Sequence, residues 1–150
     1  MKYDDASWHT ETVEAMDMPE DYSGVHIGLF LKWCFIQGWA GELWTVEEAP
    51  EDVQRVINGE MSGTAFLFQN CDGKFTDEDL NDKGNAFAKA YYGEDVLYLS
   101  DLDAFAGDMI FRASEEEYDF DGFSDMMEMA YRRMYAPKKT QSKPWWKFWW

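Results

Sequence analysis

Hydrophobic residues fill almost every position from Gly24 to Gln37, where Lys32 is the only charge. A helix that is apolar on all of its faces belongs in the centre of a core. Ser23 can cap the start of this helix, and Gly38 can end it. The pattern therefore predicts a central buried helix over 24–37.

Shorter helices are predicted on the C-terminal side of this segment. Pro50–Asn58 starts with a proline, which suits the first turn of a helix, and is followed by Gly59. Ser62–Cys71 is predicted to form a third helix, and Asn85–Tyr92 a fourth. Between them, Thr76 has the capping-box spacing for a short helical turn, with its acidic partner three residues later.

The last predicted helix begins near Phe123 and extends to Ala136, because apolar side chains recur at the spacing of one helical face. Pro137 stops it. The stripe is rich in methionine and aromatic residues, which is typical of core packing. A groove for a partner peptide would show the same pattern, since methionine surfaces adapt to varied ligands.

Two segments give no helical signal. Residues 1–23 are polar and aromatic, and are interpreted as irregular or partly extended. Val96–Leu99 is apolar but too short for periodicity to assign, and it is compatible with a strand. The expected fold is mainly α, or α+β with a minor β element, in a single compact domain around the helix at 24–37.

Charge divides the chain into two parts. All 30 Asp and Glu residues lie in residues 1–137 with nine Lys and Arg, which gives 9 − 30 = −21, whereas residues 138–150 carry four lysines and no acid. Nucleic-acid binding depends on cations that displace phosphate counterions, so no direct nucleic-acid contact is expected. A basic protein is the better partner, although plain solubility also explains an acidic surface.

The boundary at Pro137 separates an acidic globular domain, 1–137, from a cationic docking tail, 138–150. The tail holds four of the eight tryptophans, and its candidate docking residues are Lys143, Trp145, Trp146, Lys147, Phe148, Trp149 and Trp150. Large rings in water favour burial. A groove on another protein, a membrane interface and the acidic domain itself are the three alternatives.

Candidate catalytic or metal-binding chemistry is sparse. His9 and His26 are the only histidines and do not form an HExxH-type motif. Acidic residues such as Asp4 near His9 make an acid–base or metal cluster conceivable, but thirty carboxylates produce such proximity by chance. His26 is typical of a hydrogen-bonded core or helix-start residue. The sequence predicts no catalytic residue, no metal site and no cofactor, and hence no enzyme.

The segment 68–79 resembles a calcium loop in its Asp72-Gly73 turn, but Phe68 falls at the first ligand position. An EF-hand needs an oxygen ligand there and normally a glutamate at the twelfth position, where this chain has Asp79. A tight turn between two elements is the expected structure.

A run of carboxylates interleaved with aromatic residues is the candidate partner-binding site. Its members are Glu115, Glu116, Glu117, Tyr118, Asp119, Phe120 and Asp121. A solvated loop has this composition. So does a recognition surface for a lysine- and arginine-lined cleft, in which aromatic anchors and charge complementarity act together.

Four blocks carry a resemblance to a family of small acidic bacterial proteins of unknown function. They are YDDASWH (Tyr3–His9), VHIGLFLKW (Val25–Trp33), CDGKFTDEDLN (Cys71–Asn81) and GNAFAKAYY (Gly84–Tyr92). The resemblance spans roughly residues 1–99 and implies no catalytic residues. Such proteins resemble the immunity partners of polymorphic or type VI secretion toxins. The Trp-rich ending is similar to one found on unrelated bacterial proteins, which implies a portable docking tag.

Together these observations lead to a non-catalytic binding protein. The expected function is that of an immunity protein or antitoxin that occludes a secreted toxin. An adaptor or peripheral membrane protein acting through the tail is the alternative. The charged N-terminus lacks the apolar region of a secretory signal, so the expected location is the cytoplasm or the inner face of the membrane.

Overall fold

Helix α2, Val25–Ile36, lies at the centre of the core. The computed structural model describes residues 1–93 and 97–135 of the chain. Ten of the twelve residues of α2 are buried, including His26 near its start. The central helix predicted from the apolar pattern is therefore confirmed, with ends within a residue of those expected.

The remaining elements surround α2. In chain order they are β1 (Lys2–Asp5), α1 (Thr10–Ala15), α3 (Pro50–Ile57), α4 (Gly63–Asn70), β2 (Lys74–Thr76), α5 (Asp82–Tyr91), α6 (Leu97–Ala106) and α7 (Phe120–Tyr135). Short 3₁₀ segments and a π-helical turn at Leu43–Glu48 connect them. In the described residues the fold is mainly α with one two-stranded sheet, as expected.

Side-chain caps fix several helix ends. The Ser62 hydroxyl accepts a hydrogen bond from the Ala65 amide at 2.9 Å and caps α4. Thr76 and Asp79 form the predicted capping box. Asn81 caps α5 by accepting from the Gly84 amide at 2.9 Å. These caps satisfy amide groups that a helix start leaves without an intrahelical partner.

Two segments contain helices that the sequence did not predict, although the extended part expected within residues 1–23 is present as β1. Residues 1–23 contain strand β1 and helix α1, whose only buried side chain is Val13, so its hydrophobic pattern is too weak to detect. Residues 97–99 begin α6 and form no strand, because Tyr98 and Leu102, one helical turn apart, are the buried pair of that helix.

Helices α2 and α4 cross in direct backbone contact at Gly28 and Gly63. A Cβ atom added to Gly63 would lie 1.9 Å from the Gly28 carbonyl oxygen, and one added to Gly28 would lie 2.3 Å from the Thr64 nitrogen. No side chain larger than hydrogen fits either position without separating the helices. The crossing therefore places the start of α4 against the first turn of α2.

The sheet carries the N-terminus into the core. Strand β1 pairs antiparallel with β2, with Asp4 opposite Phe75. The Ala6 amide donates to the Gly73 carbonyl at 2.8 Å, just beyond the strand. Both acidic side chains of β1, Asp4 and Asp5, are buried. They leave the strand on opposite sides, and Asp4 is the one that contacts the start of α2.

Helix α7 closes the domain with the predicted apolar stripe. Phe123, Met127 and Ala130 are fully buried, and the Tyr131 ring lies 5.6 Å from that of Trp39. The stripe is therefore mainly core. Among the helices of residues 1–93 and 97–135, none combines the length and hydrophobicity that a membrane span requires.

Candidate functional site

The Asp4 carboxylate is the centre of a buried polar cluster. Its Oδ1 accepts from His9 Nε2 at 2.7 Å and from the Asp5 amide at 2.7 Å. Its Oδ2 accepts from His26 Nε2 at 2.9 Å and from the Tyr92 hydroxyl. Four donors match the four lone-pair directions of one carboxylate. We call Asp4, His9, His26 and Tyr92 the Asp4 cluster.

Four separate elements supply the cluster. Asp4 comes from β1, His26 from the first turn of α2, and Tyr92 from the end of α5. His9 ends the 3₁₀ turn Ala6–His9, which is capped by the Asp5 side chain through the Ser7 amide. That turn brings His9 back over the strand that carries Asp4.

The electrostatics of the cluster fix its protonation. Burial alone would raise the pKa of Asp4, but hydrogen bonds from His26 and His9 outweigh it and hold the pKa well below its usual range. Burial lowers the pKa of His26 despite the neighbouring carboxylate. Burial also raises the pKa of Tyr92 well above its ordinary value. At neutral pH the cluster is therefore an aspartate anion, a neutral His26 and a protonated phenol.

Phe111 covers the two histidines. Its ring stacks on His9 and meets His26 edge-on, each with centroids 5.3 Å apart. The Phe111 backbone has a φ of 64°, in the left-handed region that bulky residues avoid. Such strain persists only where surrounding contacts enforce it, and it is common at functional sites.

Access to the cluster runs past His9. The His26 side chain is 1% exposed, whereas that of His9 is 22% exposed. His26 Nδ1 is buried and has no hydrogen-bond partner among the described residues. Asp4, His9 and His26 also offer three potential metal-ligand atoms that lie within 4.8 Å of one another.

The sequence did not predict this cluster. The block Tyr3–His9 contains Asp4 and His9 five residues apart, but His26 lies 22 residues from Asp4 and no spacing motif links them. The burial of Asp4 depends on strand pairing with β2, a contact between distant segments. The proximity of Asp4 to His9 and the polar His26 within an all-apolar helix were the two available signals.

The acidic run occupies a different face. Glu115 is buried, and its carboxylate accepts from the Gly63 amide at 3.0 Å and from the Thr64 amide and hydroxyl at 2.8 and 2.7 Å. It thus binds the N-terminus of α4, where free amides and the helix dipole favour an anion. Glu115 is not available to a partner, contrary to the expectation from the sequence.

The aromatic members of the run are also used internally. Tyr118 is buried in the core cluster. Phe120 is half-buried at the start of α7, with the Lys32 amine 4.2 Å from the centre of its ring. Tyr118 is therefore no surface anchor for a partner, and Phe120 has only a partly open face.

Four carboxylates of the run remain exposed. They are Glu116, Glu117, Asp119 and Asp121, and we call them the acidic edge. Glu117 also closes a capping box with Ser114 by accepting from the Ser114 amide at 2.7 Å. The N-terminal end of the acidic edge is thus held in place by the buried Glu115 and by the capping box between Ser114 and Glu117.

The calcium-like segment has no convergent ligands. Asp72 and Gly73 have φ values of 55° and 74°, the expected tight turn. The Asp72 carboxylate pairs with Lys74 at 2.9 Å, whereas that of Asp79 accepts from the Thr76 amide at 2.7 Å and from Trp44 Nε1 at 2.9 Å. The two carboxylates have separate structural partners.

Comparison with known families shows to which protein family the chain belongs. The family described as "Domain of unknown function (DUF7832)" matches residues 2–119, which is well over half of the sequence. The chain belongs to this family. No curated protein and no solved structure matches it. The resemblance to a family of unknown function is confirmed, and no catalytic activity comes with the membership.

The DUF7832 match covers the whole Asp4 cluster, Phe111 and most of the acidic run. It ends at Asp119, one residue before α7. The predicted docking residues, Lys143 and 145–150, lie outside both the match and the described residues.

Proposed function

We propose that the protein is a non-catalytic binding protein, an immunity protein or antitoxin, that neutralises a secreted bacterial toxin by covering a basic surface of it. The acidic edge is the contact surface. The observation that carries the proposal is the anchoring of Glu115 on α4, because it holds the neighbouring exposed carboxylates in a fixed arrangement. A surface ordered before binding loses less entropy when it binds.

Two concavities border the edge, and Glu116 lines both. The first, of about 290 Å³, also has Asp21 and Phe68 in its wall. The second, of about 330 Å³, has Glu60 and Met61 in its wall. Asp21 and Glu60 are exposed. The first concavity thus combines carboxylates with the Phe68 ring, which suits a lysine or arginine whose stem packs while its charge is paired. The second concavity already has the Lys32 side chain in its wall.

The overall charge supports a basic partner. The chain carries a net charge of −17. Complementary charge raises the association rate and disfavours wrong partners more than it adds affinity. An inhibitor of this kind is expected to bind quickly, with a rate that falls as salt is added.

A charge-reversal experiment tests the acidic edge. The chain is co-expressed with the toxin encoded by a neighbouring gene, and both growth and complex formation are measured. Glu116→Lys with Glu117→Lys should abolish rescue and binding. Glu47→Lys with Glu48→Lys, two exposed glutamates on the Leu43–Glu48 turn, makes the same charge change elsewhere and should preserve both. The proposal is contradicted if both double variants lose toxin binding to the same extent. It is also contradicted if the wild-type chain does not restore growth.

The second candidate function rests on the tail. Four tryptophans and four lysines in residues 138–150 favour an adaptor or peripheral membrane protein that acts in the cytoplasm or at the inner membrane face. Removal of residues 138–150 separates the two candidates. Retained toxin binding with lost membrane fractionation assigns docking to the tail alone, whereas unchanged fractionation and partner capture contradict the adaptor function.

A further inference from the structure

We propose that Asp4, His9 and His26 form a binding site for a divalent transition-metal ion of the zinc class. The donors are Nε2 of each histidine and one carboxylate oxygen of Asp4. This site is separate from the acidic edge and requires no partner protein.

The donor set selects the class of ion. Imidazole nitrogens together with a carboxylate suit zinc and other first-row transition metals. Calcium and magnesium prefer shells made of oxygen. Two histidines and one acid also supply three protein ligands, the number found in zinc sites that keep one position for another ligand.

The two histidines flank one carboxylate. His9 Nε2 lies 2.7 Å from Asp4 Oδ1 and His26 Nε2 lies 2.9 Å from Asp4 Oδ2, and one ligand atom from each of the three residues lies within 4.8 Å of the others. Donors about 2.1 Å from one ion are about 3.0 Å apart at right angles and about 3.4 Å apart in a tetrahedron. The three ligand atoms must therefore move closer together than the 4.8 Å limit within which they now lie in order to enclose an ion.

Burial and outer contacts support the same site. Asp4 and His26 are 4% and 2% exposed, so competing water is largely excluded. The Tyr92 hydroxyl donates to the Asp4 carboxylate, as outer partners of metal ligands commonly do. The Tyr92 hydrogen bond orients the carboxylate and leaves Nε2 of both histidines available to an ion.

The His26 side chain has a second nitrogen, Nδ1, that is buried without a partner among the described residues. When a metal takes Nε2, the imidazole proton moves to Nδ1 and needs an acceptor. Ser23 lies three residues earlier, and its buried hydroxyl, like His26 Nδ1, has no partner among the described residues. Residues at this spacing share one side of a helical turn. Ser23 is thus the residue that can support His26 in its metal-binding tautomer.

Zinc titration of the full chain, stripped beforehand with a chelator, tests the site. We expect one Zn²⁺ per chain. His9→Gln is the first variant because His9 is partly exposed and its loss leaves the core intact. It should weaken Zn²⁺ binding by about 100-fold or more, since even the loss of an outer-shell partner costs about 10- to 100-fold. Ser23→Ala should weaken binding about 10-fold.

Cys71→Ala is the matched control, because a thiol is the other soft ligand near the surface of the described fold. It should leave Zn²⁺ affinity unchanged. Circular dichroism checks that each variant is folded, and Co²⁺ bound in place of Zn²⁺ should lose its visible absorption only in the His9 variant. Absence of stoichiometric binding would show a hydrogen-bonded cluster without metal. Binding unaffected by His9→Gln would place the ion on surface carboxylates. Either result overturns the proposal.

Discussion

His26 donates a hydrogen bond from Nε2 to Oδ2 of Asp4 at 2.9 Å, across 22 residues of sequence. The bond ties the first strand to the central helix inside the core. Because Asp4 is an ionised acceptor, it also fixes the tautomer of His26, leaving Nδ1 unprotonated. One contact thereby links the fold of the N-terminus to the candidate metal chemistry.

Asp4→Asn should strongly destabilise the metal-free protein. The amide offers fewer acceptor sites and places an N–H group against donors from His9, His26 and Tyr92. Breaking a buried charged network by changing one member costs about 3–5 kcal/mol. Urea denaturation of the chelator-treated chain measures the free energy of unfolding.

Asp121→Asn is the control for this variant, because Asp121 is exposed. It should change stability by no more than about 0.5 kcal/mol. A loss below about 1 kcal/mol for Asp4→Asn would show that the cluster contributes little to folding.

Glu115→Gln and Glu116→Gln form a matched pair of neighbouring changes. The first replaces the carboxylate that accepts from the Gly63 and Thr64 amides, and should cost about 1–3 kcal/mol. The second alters an exposed glutamate and should be nearly neutral. Equal unfolding free energies for the two variants would refute the anchoring of the acidic edge on α4.

Gly63→Ala tests the contact between α2 and α4. The added Cβ would lie 1.9 Å from the Gly28 carbonyl oxygen, so the helices must separate, at a cost of about 3 kcal/mol or more. Gly107→Ala is the control, because the added atom would meet only the flexible Asp103 side chain at 3.0 Å. Thermal unfolding compares them, and a similar midpoint for both would contradict the close crossing.

The burial of Asp79 predicts that the free energy of unfolding depends on pH in an unusual direction for an aspartate. Burial raises its pKa, although hydrogen bonds from Thr76 and Trp44 oppose the rise. A raised folded-state pKa means that protonation favours the folded protein. The stabilisation is complete below the unfolded pKa of about 3.9 and is lost as pH rises through the folded pKa.

An NMR titration of the Asp79 carboxyl carbon should therefore give a midpoint above the ordinary aspartate value. The stability of the wild type relative to Asp79→Asn should fall as pH rises towards 7. A midpoint below the ordinary value would show that the hydrogen bonds outweigh burial.

Local patterns in the sequence predicted the helices well. The apolar run of α2, the cap at Ser62 and the capping box at Thr76 each depend on residues close in sequence, and each is present in the structure. Helix α1 was missed because one buried residue, Val13, gives no periodicity. Tyr98 was assigned to the wrong element because four residues cannot distinguish a strand from a helix.

The candidate site was less predictable because its contacts are between distant segments. Asp4 joins His26 and Tyr92 only through the packing of β1, α2 and α5. Glu115 was predicted to be exposed because it lies in an acidic run. It is buried instead, because its carboxylate accepts hydrogen bonds from the free amides at the start of α4. A run of acidic residues predicts an exposed acidic surface. It does not show which of the carboxylates are buried and anchor that surface to the rest of the fold.

The proposed function is tested most directly by calorimetry of the full chain with a candidate toxin encoded by an adjacent gene, at two salt concentrations. The immunity function predicts a one-to-one complex that weakens as salt is added. Glu116→Lys with Glu117→Lys should abolish this complex, while Glu47→Lys with Glu48→Lys should leave it intact. No complex, or one that both double variants weaken equally, would contradict it.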